Sequence, residues 1–279
     1  VEKWKLHMNK SLNKTTITAL GTGTSTGIPQ VGCSCVVCTS LDHRDQRMRS
    51  SIFIETKSGK NILVDTSPDL RTQLLNNKIS ALDFVIITHD HADHLHGIDD
   101  IRPFCFGPPL REIPVYTNDA TKESMTEKFP YIFKPKNLPL IGGGIPLLNL
   151  HSVEIEKNVT IQGEDFFFFN YPDGYGVTTG FIHDEFAYIV DCFELPDHIV
   201  KILKEKKLKL LILDCLQRRP HKTHLTVEKS FRYIKEIKPE KTGLIHIAHD
   251  LSHCVLQNLA QLEFGDAVFP LFDGQKLFY

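Results

Sequence analysis

The chain has 279 residues and is 41% hydrophobic, which supplies apolar material for one large domain or two modest ones. Its formal net charge of −2 offers no basic field of the kind that gathers nucleic acid. No run approaches the ~18 apolar residues of a membrane-spanning helix, and the opening segment VEKWKLHMNK lacks the apolar stretch of a secretory signal. Seven cysteines, three of them within six residues, exclude an evenly paired disulfide framework and point to a reducing cytoplasm and a metal site.

In chain order, residues 1–15 read as an N-terminal extension in which Met8 makes a plausible start. Short apolar or β-branched runs closed by polar residues then predict strands near 16–20, 51–55, 61–65 and 84–88. A Pro-rich connection around Pro108, Pro109 and Pro114 leads to a helix over 119–129. The second half repeats the style, with strands at 165–171, 186–191, 208–214 and 242–247 and helices at 195–205, 226–237 and 251–263. Thr226 is placed to cap the second of these helices. Alternating strands and helices in both halves predict sheets covered by helices, in one domain built of two similar halves.

Residues 88–97 read THDHADHLHG, with four histidines and two aspartates behind the apolar run FVIIT. His89 and His91 are two apart, so in extended backbone their imidazoles share a face. Asp93 and His94 follow where the chain should turn into a helix. Such donors at a strand's C-terminal edge suit zinc, manganese or iron. His96 alternates outward and reads as a bystander. A second array, Cys33, Cys35 and Cys38, has a spacing that selects zinc. Cys105, Cys192, Cys215 and Cys254 show no such pattern and read as small hydrophobes.

HDHADH resembles the H-x-H-x-D-H signature of the metallo-β-lactamase superfamily. Together with GTGTSTGIPQVGCSCVVC and RMRSS, it is similar to the PhnP-type phosphodiesterases, which hydrolyse cyclic phosphodiesters such as 5-phosphoribosyl 1,2-cyclic phosphate. The resemblance runs roughly from Thr16 to Phe272. It implies an α/β fold, the αβ/βα four-layer sandwich, over residues 16–279, with two divalent metals (zinc or manganese) at its edge. It also implies that a water or hydroxide held between the metals attacks phosphorus.

Carried across residue by residue, the resemblance gives His89 and His91 to one metal, Asp93, His94 and His246 to the other, and Asp191 to both as a bridge. Asp65 would accept a hydrogen bond from a ligating histidine. Asp93 would also meet water or protons between the metals, and His224 matches a general acid or phosphate-binding group; His221 lies close enough to be confused with it. His249 would complete a closed structural zinc site with the three cysteines.

One position departs from the pattern. Where the family usually carries a histidine, this chain has Asp173-Gly174. Asp173 is either a harder ligand for the first metal or a turn residue, and Tyr171 is a weaker candidate for the same place. The expected partner is a small phosphodiester, and the expected assembly a homodimer; neither nucleic acid nor a membrane is expected. The rival readings are another hydrolase of the same fold (a tRNA 3′-processing nuclease, thioesterase or lactonase) and a non-catalytic metal-bearing binding protein.

Overall fold

A computed structural model describes residues 14–134 and 144–279, so the expected N-terminal extension lies almost wholly outside the described residues. Strands β1 (Thr16–Gly21), β2 (Ser51–Glu55), β3 (Asn61–Val64), β4 (Phe84–Ile86), β5 (Ile113–Thr117) and β6 (Leu148–Ser152) follow one another across a first sheet. The second sheet holds β7 (Asn158–Ile161), β8 (Glu164–Pro172), β9 (Val177–His183), β10 (Phe186–Ile189), β11 (Leu210–Asp214), β12 (Lys241–Ile245) and β13 (Val268–Pro270). The last strand, β14 (Lys276–Phe278), returns to the first sheet and pairs antiparallel with β1.

The period-two alternation of each strand divides its side chains between two cores. Ile52 and Ile54 of β2, Ile62 and Val64 of β3, Tyr188 of β10 and Ile212 of β11 meet between the sheets, in a layer rich in phenylalanine. The residues between them point outward. Phe53, Leu63 and Val85 pack under α1 (Leu70–Asn76) and a 3-10 segment at Ile98–Cys105. Ala187, Leu211 and Leu213 pack under α5 (Asp197–Glu205), α6 (Val227–Ile237) and α7 (His253–Phe264). Both faces of both sheets are covered, so these strands read as unbroken apolar runs. The result is the four-layer αβ/βα sandwich.

The expected strands are all present, although FVIIT pairs only over Phe84–Ile86 before its chain turns to the site. Thr226 caps α6 as expected, its hydroxyl accepting from the Lys229 N–H at 3.3 Å. Strand β5 was hidden by Pro114, which reads as a connection because it cannot donate to a ladder. Strand β9 was hidden by Gly180. That glycine is required because a Cβ there would stand 2.9 Å from the rings of Phe169 and Tyr171.

Strands β3, β4 and β5 run parallel, as do β10, β11 and β12. Their C-terminal ends therefore open on the same edge of the sandwich, where α/β folds place ligands. Because Phe168 is fully buried between the sheets, Phe168→Ala should lower unfolding free energy by about 3–5 kcal/mol in denaturant titration. A loss under ~1 kcal/mol would show that the inter-sheet layer collapses around the gap.

Candidate metal centre

Five strands end in a residue of the site. Asp65 follows β3, Thr88 and His89 follow β4, Asp191 follows β10, Asp214 closes β11 and His246 follows β12. Asp65, Asp191 and His246 take left-handed backbone, with φ of 64°, 50° and 63°. Such conformations cost about 1–3 kcal/mol each for a side chain other than glycine, and they turn each side chain inward off its strand end. Asp93 and His94 come from the short helix α2 (Ala92–Leu95), which His91 precedes in extended backbone.

Asp191 stands at the centre. Its Oδ2 lies 3.3 Å from His89 Nε2 and 3.9 Å from His91 Nδ1. Its Oδ1 lies 2.9 Å from His246 Nε2 and 3.3 Å from His94 Nε2. Asp93 Oδ2 faces the same two rings at 3.3 and 3.6 Å. Two donor groups result, His89, His91 and Asp191 on one side and Asp93, His94, Asp191 and His246 on the other.

The imidazoles are oriented from behind. His94 Nδ1 meets Asp65 Oδ2 at 2.8 Å, while the Thr88 hydroxyl donates to Asp65 and lies 2.9 Å from His89 Nδ1. Asp65 thus steadies two rings, one directly and one through Thr88, and fixes the tautomer that leaves Nε2 free. Tyr171 occupies no ligand position. Its hydroxyl donates to the Val190 carbonyl at 2.8 Å and accepts from the Val190 N–H, pinning the backbone just before Asp191.

Whether the donors suit a metal is tested by their unpaired atoms. His89 Nε2, Asp93 Oδ2, His94 Nε2, Asp191 Oδ1 and His246 Nε2 are all buried without a hydrogen-bond partner. Buried polar atoms are rarely left so, because each costs roughly 1–3 kcal/mol. Five that face one another form a ligand set, and the site fits divalent cations. With protons alone to answer the carboxylates, burial pulls the His94 and His246 pKa values down, but Asp191 and Asp93 outweigh it. His94 is raised well above its ordinary value and His246 to about 10. Burial raises Asp93 and Asp191, yet their imidazole partners hold both well below the usual carboxylate range.

Asp173 is placed elsewhere by this geometry. Its Oδ1 accepts from the N–H groups of Tyr175 (2.9 Å) and Gly176 (2.6 Å), and its Oδ2 from the Thr178 hydroxyl at 3.2 Å. Both oxygens close its own turn, and Asp173 joins neither donor group. It does line the cavity of about 410 Å³ over the site, with Ser25, His91, Ala92, Asp93, Tyr175, Asp191, His221, Thr223 and His224. His96 faces solvent against Phe129, away from the donors.

Asp214 was missed in the sequence. It is fully buried, accepts from the Cys192 and Leu225 N–H groups, and lies 3.4 Å from His224 Nδ1 and 3.8 Å from His246 Nδ1. The readable signal was the run LKLLILD, which ends in aspartate as NILVD and FAYIVD do.

Cys33, Cys35 and Cys38 surround His249 Nδ1 with their sulfurs at 3.3, 3.6 and 3.6 Å. A tetrahedral zinc with bonds of about 2.3 Å to sulfur and 2.0–2.1 Å to nitrogen sets donors roughly 3.5 Å apart, so these four fit one. The Cys38 N–H holds the Cys35 thiol down to about 6, which favours the thiolate a metal needs. Arg47, fully buried beside this loop, donates to the Ala248 carbonyl and pairs with Asp45 at 2.8 Å.

A family model described as "Beta-lactamase superfamily domain" matches residues 60–247. Among solved structures, a diphosphatase from the PhnP family superposes with a TM-score of 0.84 and 32% identity, over 95% of this chain and 97% of that one. The chain belongs to the beta-lactamase superfamily and, within it, to the PhnP family. The octanoyltransferase of Porphyromonas gingivalis is 36% identical over 82% of this chain, which spans only 45% of that protein's length. The exodeoxyribonuclease WalJ of Streptococcus pneumoniae is 28% identical, over 80% of this chain and 89% of its own. No helix among the described residues is long and apolar enough to cross a membrane.

Two measurements check the centre. Ions entering the site must displace the protons that Asp191 and Asp93 hold on His94 and His246. Affinity should therefore rise with pH from 6 towards the His246 value of about 10, and calorimetry in buffers of different ionisation heat should report proton release. Affinity independent of pH would contradict the ligand role of these rings. Cys35→Ser should lower Tm first and turnover only as a consequence, since a closed zinc site stabilises the fold directly. An equally heat-stable but inactive variant would make the cysteine cluster catalytic.

Proposed function

We propose that the protein is a metal-dependent hydrolase with a two-metal centre, acting as a phosphodiesterase on small, including cyclic, phosphodiesters. The observation that carries the reading is Asp191, whose two oxygens face two separate donor groups and so suit a bridging carboxylate. His89, His91 and Asp191 Oδ2 would hold one ion; Asp93, His94, His246 and Asp191 Oδ1 would hold the other. When bound, such ions lower the pKa of a water and neutralise charge growing on phosphoryl oxygens.

The chain's own residues do the rest. Asp65 and Thr88 keep the ligand nitrogens aimed inward, and Asp93, on the cavity wall, orients the attacking water. Asp214 faces His224 Nδ1, which steadies that ring while its other edge is left for the leaving oxygen. An imidazole there is placed to give a proton to a leaving alkoxide. His221 lines the same cavity, its ring 5.1 Å from that of His224. The cysteine site, with a zinc, would hold the loop before β2 against His249. A single-metal, non-catalytic binding protein would leave the second donor group without purpose. A second reading, an exonuclease cutting a terminal phosphodiester, is favoured by the near-complete span of WalJ, and opposed by the net charge of −2.

The test uses protein loaded with zinc or manganese and assayed on bis(p-nitrophenyl) phosphate, an alkyl phosphodiester and a short DNA strand. Turnover of the small diesters, abolished by Asp93→Ala, is the expected result. His224→Ala should lose roughly 10²–10⁴-fold on the alkyl ester and less on p-nitrophenol, a leaving group that needs no proton. Turnover of DNA alone would favour the nuclease, and turnover of no diester would sink the proposal.

A further inference from the structure

The turn that Asp173 closes has a second consequence, which rests on the phosphodiesterase reading. Asp173 and Gly176 lie back to back through the Asp173 N–H and the Gly176 carbonyl at 3.5 Å, and the Asp173 carboxylate binds the two N–H groups that follow. Gly174, at φ +91°, lies so close to the wall opposite that a Cβ would stand 2.7 Å from both the Lys222 carbonyl oxygen and Thr223 Cγ2. A residue with a side chain could not bring the two segments together. The turn is thereby seated on the loop that carries His221 and His224.

What this seat presents is Tyr175. It lines the cavity yet is 85% exposed, and no aromatic ring among the described residues lies against its own. A lone exposed aromatic is ordinary on a protein surface. This one differs in being held by its own backbone N–H, at the mouth of a pocket whose floor is charged and whose wall carries two imidazoles. A ring so placed offers a flat apolar face beside a site for phosphoryl groups, with the ordering of its backbone already done.

We propose that Tyr175 is the specificity residue of the cavity, stacking on a planar group, a nucleobase or aryl substituent, of the phosphodiester. Asp173 is its positioning residue, and the family's ligand position serves here to build the substrate wall. Stacking of a base on an aromatic side chain corresponds to roughly 5- to 150-fold in binding. The diester itself is recognised by the floor, so the ring discriminates between substrates that share the same phosphate.

Adenosine 2′,3′-cyclic phosphate and methyl riboside 2,3-cyclic phosphate carry the same cyclic diester with and without a base. For the metal-loaded protein, kcat/KM should favour the adenosine compound, and Tyr175→Ala should cut that preference ratio by about 5- to 150-fold, mainly through KM. Tyr175→Phe should retain the ratio, because the ring and not the hydroxyl stacks. Asp173→Ala should reduce the ratio as Tyr175→Ala does, with metal content by elemental analysis unaltered. A ratio untouched by Tyr175→Ala, or no preference in the parent, overturns the inference while leaving the phosphodiesterase reading in place. Loss of one ion in Asp173→Ala overturns the positioning role and makes that carboxylate a ligand. If the parent hydrolyses neither compound nor any other diester, the function itself fails and the inference with it.

Discussion

One carboxylate, that of Asp191, sets the terms for the whole edge of the sandwich. It is buried among four imidazoles, with Asp93 beside it. Removing so many polar groups from water is unfavourable unless each finds a partner of opposite sign. Asp191 answers one pair of rings with each oxygen, and Asp65 and Asp214 answer from behind. Delete the central charge and His94 and His246 would lose the partner that holds their protons or their metals. The left-handed backbone at Asp65, Asp191 and His246 is the local cost of that convergence, met by the packing of both sheets around it.

The sandwich earns its shape from burial on both faces of both sheets, and that same burial makes the site possible. Because β10, β11 and β12 run parallel, each can end in a functional residue at one edge while its body remains apolar. The first sheet contributes Asp65 and His89 by the same rule. Between the sheets, the chain beyond β1 crosses to the second half, where Thr24 N–H donates to the Ile247 carbonyl and the Ile247 N–H to that of Thr22. This brings Ser25 to the cavity rim and the cysteine loop against His249. Arg47 fastens the same junction through Ala248, which lies between His246 of one donor group and His249 of the other. The two centres are therefore mechanically linked although their donors are separate.

The PhnP-family diphosphatase shares this fold over almost the whole of both chains. In such a fold the strand ends carry the chemistry and the loops that surround them the choice of substrate. In this chain the wall is made by the turn at 173–176 and the loop at 221–224, held together at Gly174.

The sequence by itself determined the layers and most of the donors. Short apolar runs ending in Asp65, His89, Asp191 and His246 were readable because a strand end is local information, with the roles of Asp65, Asp191 and His246 implied by the family resemblance, and Cys33, Cys35 and Cys38 announce themselves by spacing alone. Strands β5 and β9 were not readable, since Pro114 and Gly180 break local propensity and are tolerated only in the packed sheet. Asp214 escaped for a related reason: a strand-end aspartate gains a role only when His224 and His246, distant in sequence, are brought beside it. Asp173 shows the limit most clearly. Its place in the chain fits a ligand and a turn equally well, because the choice depends on where its two oxygens point. The tertiary structure turned them to the N–H groups of Tyr175 and Gly176 and to Thr178, once Gly174 had set that turn against Thr223.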